Sequence, residues 1–180
     1  MVFEEKTVTT ENIFKGKIID VKLHKVLMPD GQVADREIVG HPGGVGVVAV
    51  TDDNKIILVK QYRKPLEKAI YEIPAGKLDP DEEVEVCGRR ELLEETGATA
   101  ENFEYLGYMY PSPGFTDEVT HIYLATGLSF GETNPDEDEF LDIEFFDIDE
   151  VKKMIMDNEI CDGKTVMGFF KMMEKLKGGI

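Results

Sequence analysis

Three glutamates crowd into five consecutive positions near the middle of the chain: Glu91, Glu94 and Glu95. They follow two arginines in the segment GKLDPDEEVEVCGRRELLEETGA, residues 76–98. On an α-helix, which turns by about 100° per residue, the three side chains share an arc of roughly 100°. The residues that precede them on this arc are apolar or small: Val84, Cys87 and Gly88. A stripe that faces the core is therefore predicted to become acidic over its last turn.

Two interpretations of this acidic turn are open. It can be a solvated helix face with incidental ion pairs, such as Arg90 with Glu94. Alternatively, the carboxylates bind a cation, because hard divalent ions such as Mg²⁺ take oxygen ligands and leave other positions to water and substrate phosphates. The i, i+4 spacing puts Glu91 and Glu95 where one ion could be shared. Repulsion between three neighbouring acids favours the cation.

The elements that must position these residues are mixed strands and helices. A helix is predicted from about Glu82 to Thr96, because the segment lacks proline and Gly97 can end it. Residues 16–39 predict an antiparallel hairpin around the turn Pro-Asp-Gly. Further strands are predicted in VGVVAV, KIILVKQYR, AIYEIPAG, NFEYLGYMY, EVTHIYLAT and LDIEFFDI, and two helices in DEVKKMIMDN and GKTVMGFFKMMEKL. The pattern predicts an α/β or α+β sandwich, with a β-rich region 1–40 before a main domain 41–180.

The composition restricts the possible partners and compartment. The 180 residues include 37 acidic and 20 basic side chains, a net charge of −17. This charge argues against nucleic acid and anionic membranes as partners, since both demand basic patches. A bound cation can still reverse the field locally for a small anionic ligand. The two cysteines lie far apart in sequence and show no metal-binding spacing, so no disulfide is expected. The sequence also shows no signal peptide and no segment of membrane-spanning length, so a cytoplasmic protein is expected.

The segment 76–98 resembles the Nudix box in full. The matching positions are Gly76, Glu82, Arg90, Glu91, Leu92, Glu94, Glu95, Gly97 and Ala98. So many matched positions in one segment are a specific signal, unlike a lone glycine motif. The resemblance implies hydrolysis of a nucleoside diphosphate linked to another moiety, with two or three Mg²⁺ or Mn²⁺ ions. It also implies an α/β/α sandwich with a mixed sheet, to which the N-terminal hairpin region is an addition.

The resemblance assigns roles within and beside the box. Glu91 and Glu95 correspond to the principal metal ligands, and the carbonyl of Ala75 corresponds to a further ligand. Glu94 corresponds to an additional ligand and is also a catalytic candidate. A second set corresponds to positions that hold the loop–helix–loop in shape: Gly76, Glu82, Arg90 and Gly97.

Segments outside the box resemble the ADP-ribose pyrophosphatase group of the same family. They are REIVGHPGGVGVVAV, LVKQYRKP, YEIPAGKLD, SPGFTDE and DGKT, which together with the box reach from Arg36 to Met167. Pro113 and Gly114 stand in the region where this group places a proline, and they are candidates for substrate binding. The group also implies a homodimer in which the N-terminal region helps to build the site.

Three charged residues are further candidates for substrate binding. Arg36 and Arg63 can contact phosphate or ribose, because guanidinium forks match phosphate oxygens, or they can form surface ion pairs at strand ends. Glu72 can hold a ribose or adenine edge, or it can face water. In a dimer, Arg36 could serve the substrate of the other subunit.

The acidic loop NPDEDEF contains the candidates for a general base. A carboxylate on a mobile loop can close over the site and take a proton from the attacking water. In the resembling enzymes a glutamate of this loop does so or ligates a metal, which makes Glu137 and Glu139 the candidates here. Acidic loops are often only solvated, so the residues alone leave that alternative open.

These expectations combine into Mg²⁺-dependent hydrolysis of ADP-ribose to AMP and ribose 5-phosphate. Water is expected to attack one phosphorus in line while cations neutralise the diphosphate. One alternative is another Nudix pyrophosphatase that acts on GDP-mannose, NADH or diadenosine polyphosphates. A second alternative is a non-catalytic module that binds ADP-ribose, although such modules usually lose box glutamates and none is missing here.

Overall fold

A computed structural model describes residues 3–132 and 140–178 of the chain. The chain forms two compact units, which we call the N-terminal unit and the main unit. The N-terminal unit comprises Met1–Gly43 and Tyr110–Val119, and the main unit comprises Gly44–Met109 and Thr120–Ile180.

The N-terminal unit contains an antiparallel sheet of three strands in the order β1-β2-β3. The strands are β1 (Lys6–Lys15), β2 (Asp20–Leu27) and β3 (Val33–Gly40). The predicted hairpin is confirmed as β2 and β3, and Gly31 in its turn has a φ of 87°, which suits glycine. The sequence analysis did not predict β1, whose residues are exposed along the whole strand.

The main unit contains seven strands and three helices among its described residues. The strands are β4 (Gly44–Ala49), β5 (Lys55–Arg63), β6 (Lys68–Glu72), β7 (Ala75–Lys77), β8 (Ala98–Met109), β9 (Thr120–Phe130) and β10 (Leu141–Asp147). The helices are α1 (Val84–Thr96), α2 (Ile148–Met156) and α3 (Gly163–Gly178). The strands form two sheets, in the orders β7-β4-β9-β8 and β10-β5-β6, and β4 runs parallel to β9. None of the described helices combines the length and the apolar character needed to cross a membrane.

Alternation along β4 explains how the helices are arranged around the sheets. Val45 and Val47 are buried in an apolar cluster with Leu92 of α1. Val48 is buried in a second cluster, which contains Val151 of α2 and Phe169 of α3 together with other residues of both helices. Since neighbouring residues of a strand point to opposite faces, α1 lies on one face of this sheet layer and α2 and α3 on the other. The predicted α/β/α fold with a mixed sheet is confirmed.

The predicted helix that carries the acids is confirmed as α1. It ends at Gly97, whose φ of 68° lies in the left-handed region that favours glycine. The amide of Gly97 donates to the carbonyl of Leu93 at 2.8 Å and so completes the last turn. The end of the helix is therefore defined directly after Glu94 and Glu95.

Candidate active site

The acidic turn of α1 lies on the buried side of the helix, as the spacing predicts. Glu91 is 7% exposed and Glu95 is 2% exposed, and both continue the buried stripe of Cys87 and Gly88. Glu94 lies at the edge of this stripe, with 30% of its side chain exposed. Two of the three acids are therefore not part of a solvated face.

The segment that enters the box lies directly against these carboxylates. The amide of Ala75 donates to Oε2 of Glu95 at 2.9 Å. Ala75 and Gly76 belong to β7, which is held in place because it pairs with β4. A Cβ atom built on Gly76 would overlap the carboxylate of Glu91, so only glycine permits this close approach.

Arg90 binds three of the box glutamates at once. Its Nε and Nη2 atoms donate to the two carboxylate oxygens of Glu82, each at 2.9 Å. Its Nη1 atom donates to Glu91 at 2.7 Å and to Glu94 at 2.9 Å, and Nη2 also donates to the carbonyl of Lys77 at 3.2 Å. The hydrogen bonds from Arg90 lower the pKa of Glu82 to about 2, and those to Glu82 in turn raise the pKa of Arg90. Arg90 therefore ties the segment before α1 to the acidic turn.

Cys87 is the one thiol on the buried stripe of α1, and its environment keeps it neutral. Burial, together with the charge of Glu82, raises the pKa of Cys87 to about 12. Its Sγ atom donates to the carbonyl of Lys77 at 3.4 Å. A thiol that stays protonated is a poor nucleophile and a poor metal ligand. This environment favours a structural role for Cys87 over a nucleophilic one.

The donors in this region fit a hard divalent cation. Across residues 3–132 and 140–178, no three His, Cys, Asp or Glu side chains converge at metal-site spacing. Oxygens of Glu91 and Glu94 accept from Arg90, and one oxygen of Glu95 accepts from the Ala75 amide. The set nevertheless consists of carboxylates, two of them buried, which is the donor type that Mg²⁺ prefers. Glu91, Glu94 and Glu95 therefore supply the type of donor that such an ion would need.

A second charged cluster lies at the ends of β5 and β6. Nε of Arg63 donates to Glu72 at 2.6 Å and Nη2 donates at 2.9 Å, which makes a bidentate pair. Glu72 is only 2% exposed and also pairs with Lys164, so the alternative in which it faces water is wrong. Burial raises the pKa of Glu72, but the Arg63 hydrogen bonds and the charge of Lys164 outweigh burial, and the net pKa is lowered. Glu72 is therefore an anion with two cationic partners.

Three of the other predicted residues belong to the N-terminal unit. Arg36 lies on β3 of the N-terminal unit and donates to both carboxylate oxygens of Glu5, at 2.8 and 2.6 Å. It thus forms the ion pair that was the alternative to substrate binding. Pro113 and Gly114 are exposed in the loop of the same unit. The two predicted bases, Glu137 and Glu139, lie outside the described residues.

The start of α3 contacts Glu72 and Ile73 at the end of β6, and no site role was predicted for it. Thr165 is 1% exposed, and its hydroxyl accepts a hydrogen bond from the amide of Ile73 at 2.9 Å. Asp162 accepts from the Thr165 hydroxyl at 2.6 Å, and Lys164 pairs with Glu72. The segment DGKT was part of the family resemblance. Its Lys164, a charged residue at the start of a largely apolar helix, was the sequence feature that could have indicated this contact.

Comparison with known proteins adds family information to this geometry. The NUDIX domain model matches residues 40–165, and the model of the nucleoside diphosphate sugar hydrolase N-terminal domain matches residues 5–39. The chain is 48% identical over 180 residues to the methanol dehydrogenase activator of Bacillus methanolicus, covering 98% of this chain and 97% of the relative. It is 49% identical over 164 residues to the ADP-ribose pyrophosphatase of Bacillus subtilis (strain 168), covering 90% of this chain and 89% of the relative. A solved structure described as an ADP compounds hydrolase shares the fold, with a TM-score of 0.89, 22% identity and coverage of 99% and 97% of the two chains.

Proposed function

This chain belongs to the Nudix hydrolase family, and on that premise we propose that it hydrolyses ADP-ribose to AMP and ribose 5-phosphate with a divalent cation. The substrate follows the Bacillus subtilis relative, whose name is ADP-ribose pyrophosphatase. The observation that carries the hydrolytic part is the burial of Glu91 and Glu95 beside Ala75 and Gly76. Buried carboxylates are costly, so their presence in close contact with Ala75 and Gly76 supports a cation-binding role.

The proposed ligands are the side chains of Glu91, Glu95 and Glu94 and the carbonyl of Ala75. Nudix ADP-ribose pyrophosphatases generally depend on divalent metal, and we propose two or three Mg²⁺ ions, with Mn²⁺ as a substitute. When bound, such ions would neutralise the diphosphate and make water a better nucleophile at neutral pH. Glu94 is the most exposed of the three acids, with 30% of its side chain accessible to solvent.

The remaining steps use groups of the chain itself. The Nε–Nη2 edge of Arg63 is engaged by Glu72, while 41% of the Arg63 side chain is exposed and can present its other donors to a phosphate. We assign the base that accepts the proton of the attacking water to Glu137 or Glu139. Water adds to one phosphorus, the bridging P–O bond breaks, and the leaving phosphate takes up a proton. AMP and ribose 5-phosphate result.

Conservative replacement of the two buried acids tests the metal site. Glu91→Gln and Glu95→Gln keep the size of the side chain but remove its charge. We expect each to lower the kcat for AMP release from ADP-ribose with Mg²⁺ by about a hundredfold or more, which is about 3 kcal/mol of barrier. Glu85→Gln is the matched control, because Glu85 is on the exposed side of the same helix. Near-normal turnover in both buried variants would remove the metal-site proposal.

A substrate panel separates the proposal from its alternatives. We expect ADP-ribose to have a higher kcat/KM than GDP-mannose, NADH or diadenosine polyphosphates. A different ranking would assign the chain to another pyrophosphatase activity of the family. Tight binding of ADP-ribose without release of AMP would identify a non-catalytic binding module.

The Bacillus methanolicus relative supports a second candidate function. Because that relative is named methanol dehydrogenase activator and matches nearly the whole chain, we also infer that this protein can activate a methanol dehydrogenase. The test adds the wild-type protein or Glu95→Gln to a methanol dehydrogenase and measures methanol oxidation. Activation by the wild type alone would link this function to hydrolysis. No activation by either protein would reject the candidate.

We propose that the N-terminal unit mediates a homodimer, as the resemblance to the ADP-ribose pyrophosphatase group implies. Large apolar side chains of this unit are more than half exposed: Ile13, Phe14, Val33 and Phe115. Light scattering should give the mass of two chains, and the mass of one chain would contradict the proposal.

The proposed substrate residues still include Arg36, Pro113 and Gly114, and Arg36→Ala should raise the KM for ADP-ribose. The cytoplasmic location is also retained, since both cysteines are free, and cell fractionation would test it.

A further inference from the structure

The start of α3 holds the segment that leads from β6 into the box. The Thr165 hydroxyl accepts from the amide of Ile73 at 2.9 Å, deep in the main unit. Asp162 accepts from both the amide and the hydroxyl of Thr165, at 3.0 and 2.6 Å, and so caps the helix. Lys164, between them, extends to Glu72, the residue before Ile73. Both the backbone and the charge of this segment therefore depend on α3.

Lys164 is a mostly buried cation with two acidic partners. Its side chain is 15% exposed, and it pairs with Glu72 and with Asp162, the latter at 3.1 Å. Arg63 pairs with the same Glu72 carboxylate from the other side. Two cations and two anions thus balance in one cluster, as burial of charged groups requires. Removal of Lys164 would leave an excess negative charge beside Arg63.

The geometry of Arg63 determines how this charge balance affects the binding of a phosphate. Glu72 engages the Nε–Nη2 edge of the planar guanidinium, so the remaining donors point away from Glu72. The hydrogen bonds that Arg63 donates to Glu72 raise the pKa of Arg63, and the charges of Glu95 and Asp162 raise it as well. Glu72 lies three residues before Ala75, whose amide donates to Glu95 at 2.9 Å, so one short segment links the partner of Arg63 to the acidic turn of α1. The positive charge of Arg63 therefore favours a phosphate held near that turn.

We propose that Lys164 is a positioning residue for phosphate binding, which acts through Glu72 on Arg63. Lys164 holds the Glu72 carboxylate, Glu72 holds one edge of Arg63, and Arg63 presents its outer edge to a phosphate of the substrate. Lys164 also cancels a negative charge that would otherwise repel an anionic diphosphate. This role rests on the proposed function of the site, and neither the sequence motif nor the family match assigns it.

Lys164→Met tests this role, because a positioning residue for phosphate binding should change the KM much more than the kcat. We expect the KM for ADP-ribose to rise about tenfold, with kcat within about threefold of the wild type, because Lys164 touches no reacting atom. Lys164→Arg should restore most of the KM. Lys175→Met is the matched control, since Lys175 lies on the same helix and also pairs with a strand glutamate, Glu104, but on the surface. It should leave both constants unchanged.

A double-mutant cycle distinguishes positioning from a purely structural role. If Lys164 acts through Arg63, then Lys164→Met should change the KM by less than about twofold in an Arg63→Ala background. An undiminished effect in that background, or a fall in kcat equal to the rise in KM, would overturn the proposal. Thermal unfolding of each variant identifies any that does not fold, and Lys164→Arg then supplies the comparison.

Binding of ADP, measured by calorimetry with Mg²⁺, keeps this inference separate from the proposed reaction. A weaker affinity in Lys164→Met that depends on Arg63 supports positioning even if the wild type releases no AMP from ADP-ribose. Equal affinity in wild type and Lys164→Met would overturn the positioning role while hydrolysis by the wild type stands.

Discussion

Replacement of Arg90 by methionine is expected to lower the free energy of unfolding by about 2–4 kcal/mol. The guanidinium donates to Glu82, Glu91 and Glu94, and only 30% of its side chain is exposed. Removal of one partner from a buried ion pair costs about 3–5 kcal/mol, because a charge stays buried without compensation. The partial exposure of Arg90 reduces that range, while the three acids left near one another prevent a large reduction.

The adjacent arginine supplies a matched control. Arg89 donates to Glu85 at 2.9 Å, and both side chains are about half exposed. Its guanidinium carbon also lies 4.4 Å from the centroid of the Phe103 ring. Exposed ion pairs and cation–π contacts each contribute about 1 kcal/mol or less. Arg89→Met should therefore destabilise the protein by about 1 kcal/mol, clearly less than Arg90→Met.

The assay is guanidinium chloride unfolding followed by circular dichroism, without metal and with excess MgCl₂. Because the chain has no tryptophan, circular dichroism is more suitable than indole fluorescence. Mg²⁺ that binds only the folded state stabilises it by RT ln(1 + [Mg²⁺]/Kd). In Arg90→Met, Glu91 and Glu94 lose their guanidinium partner and should bind Mg²⁺ more tightly. Mg²⁺ should therefore stabilise Arg90→Met more than the wild type.

Two results would refute this reasoning. Equal stability of Arg90→Met and Arg89→Met would show that Arg90 does not stabilise the protein by offsetting the negative charges of its acidic partners. A smaller effect of Mg²⁺ on Arg90→Met than on the wild type would show that Arg90 helps the cation rather than taking its place.

Two further predictions concern other parts of the box. Gly76→Ala should destabilise the protein by about 2 kcal/mol and reduce turnover, because its Cβ would overlap the Glu91 carboxylate. Gly131→Ala, where a Cβ would meet one carbonyl at 3.9 Å among the described residues, should have little effect in the same unfolding assay. Equal effects of the two changes would contradict this. The pKa of Glu82 is lowered from 4.5 to about 2, so its stabilising contribution is present above pH 4.5 and is lost as the pH falls towards 2. Glu82→Gln should therefore lose less stability than the wild type between about pH 5 and pH 2, and parallel pH profiles would contradict the assignment to Glu82.

The main unit could be predicted from sequence because its elements bury apolar side chains in regular patterns. Strand β5 matches the predicted segment from Lys55 to Arg63, and α1 differs from the prediction only at its start. Strand β1 could not be predicted in this way. Its sequence KTVTTENIFK is exposed on every residue, so no alternation of apolar and polar side chains marks it. What defines β1 is its pairing with β2, which local patterns do not report.

The acidic turn could be predicted because its residues share one helix. The helical period alone places Glu91 and Glu95 on the buried stripe. The ion pair of the first interpretation forms between Arg90 and Glu94, but Glu91 and Glu95 are buried and do not belong to a solvated face. The role of Lys164 could not be obtained in the same way, because its partner Glu72 lies 92 residues away in sequence. Only the packing of α3 against the main unit brings these two charges together.

The contacts of Arg90 also bear on the order in which the site is built. Three acids within one turn repel one another, and that repulsion favoured a cation in the sequence. In the structure a guanidinium already lies among Glu82, Glu91 and Glu94 and offsets much of this repulsion. We therefore expect α1 to fold without a metal ion. Because Arg90 is part of the same helix as the acids, we expect the site to fold first and exchange cations afterwards, so that metal binding depends on substrate rather than on folding.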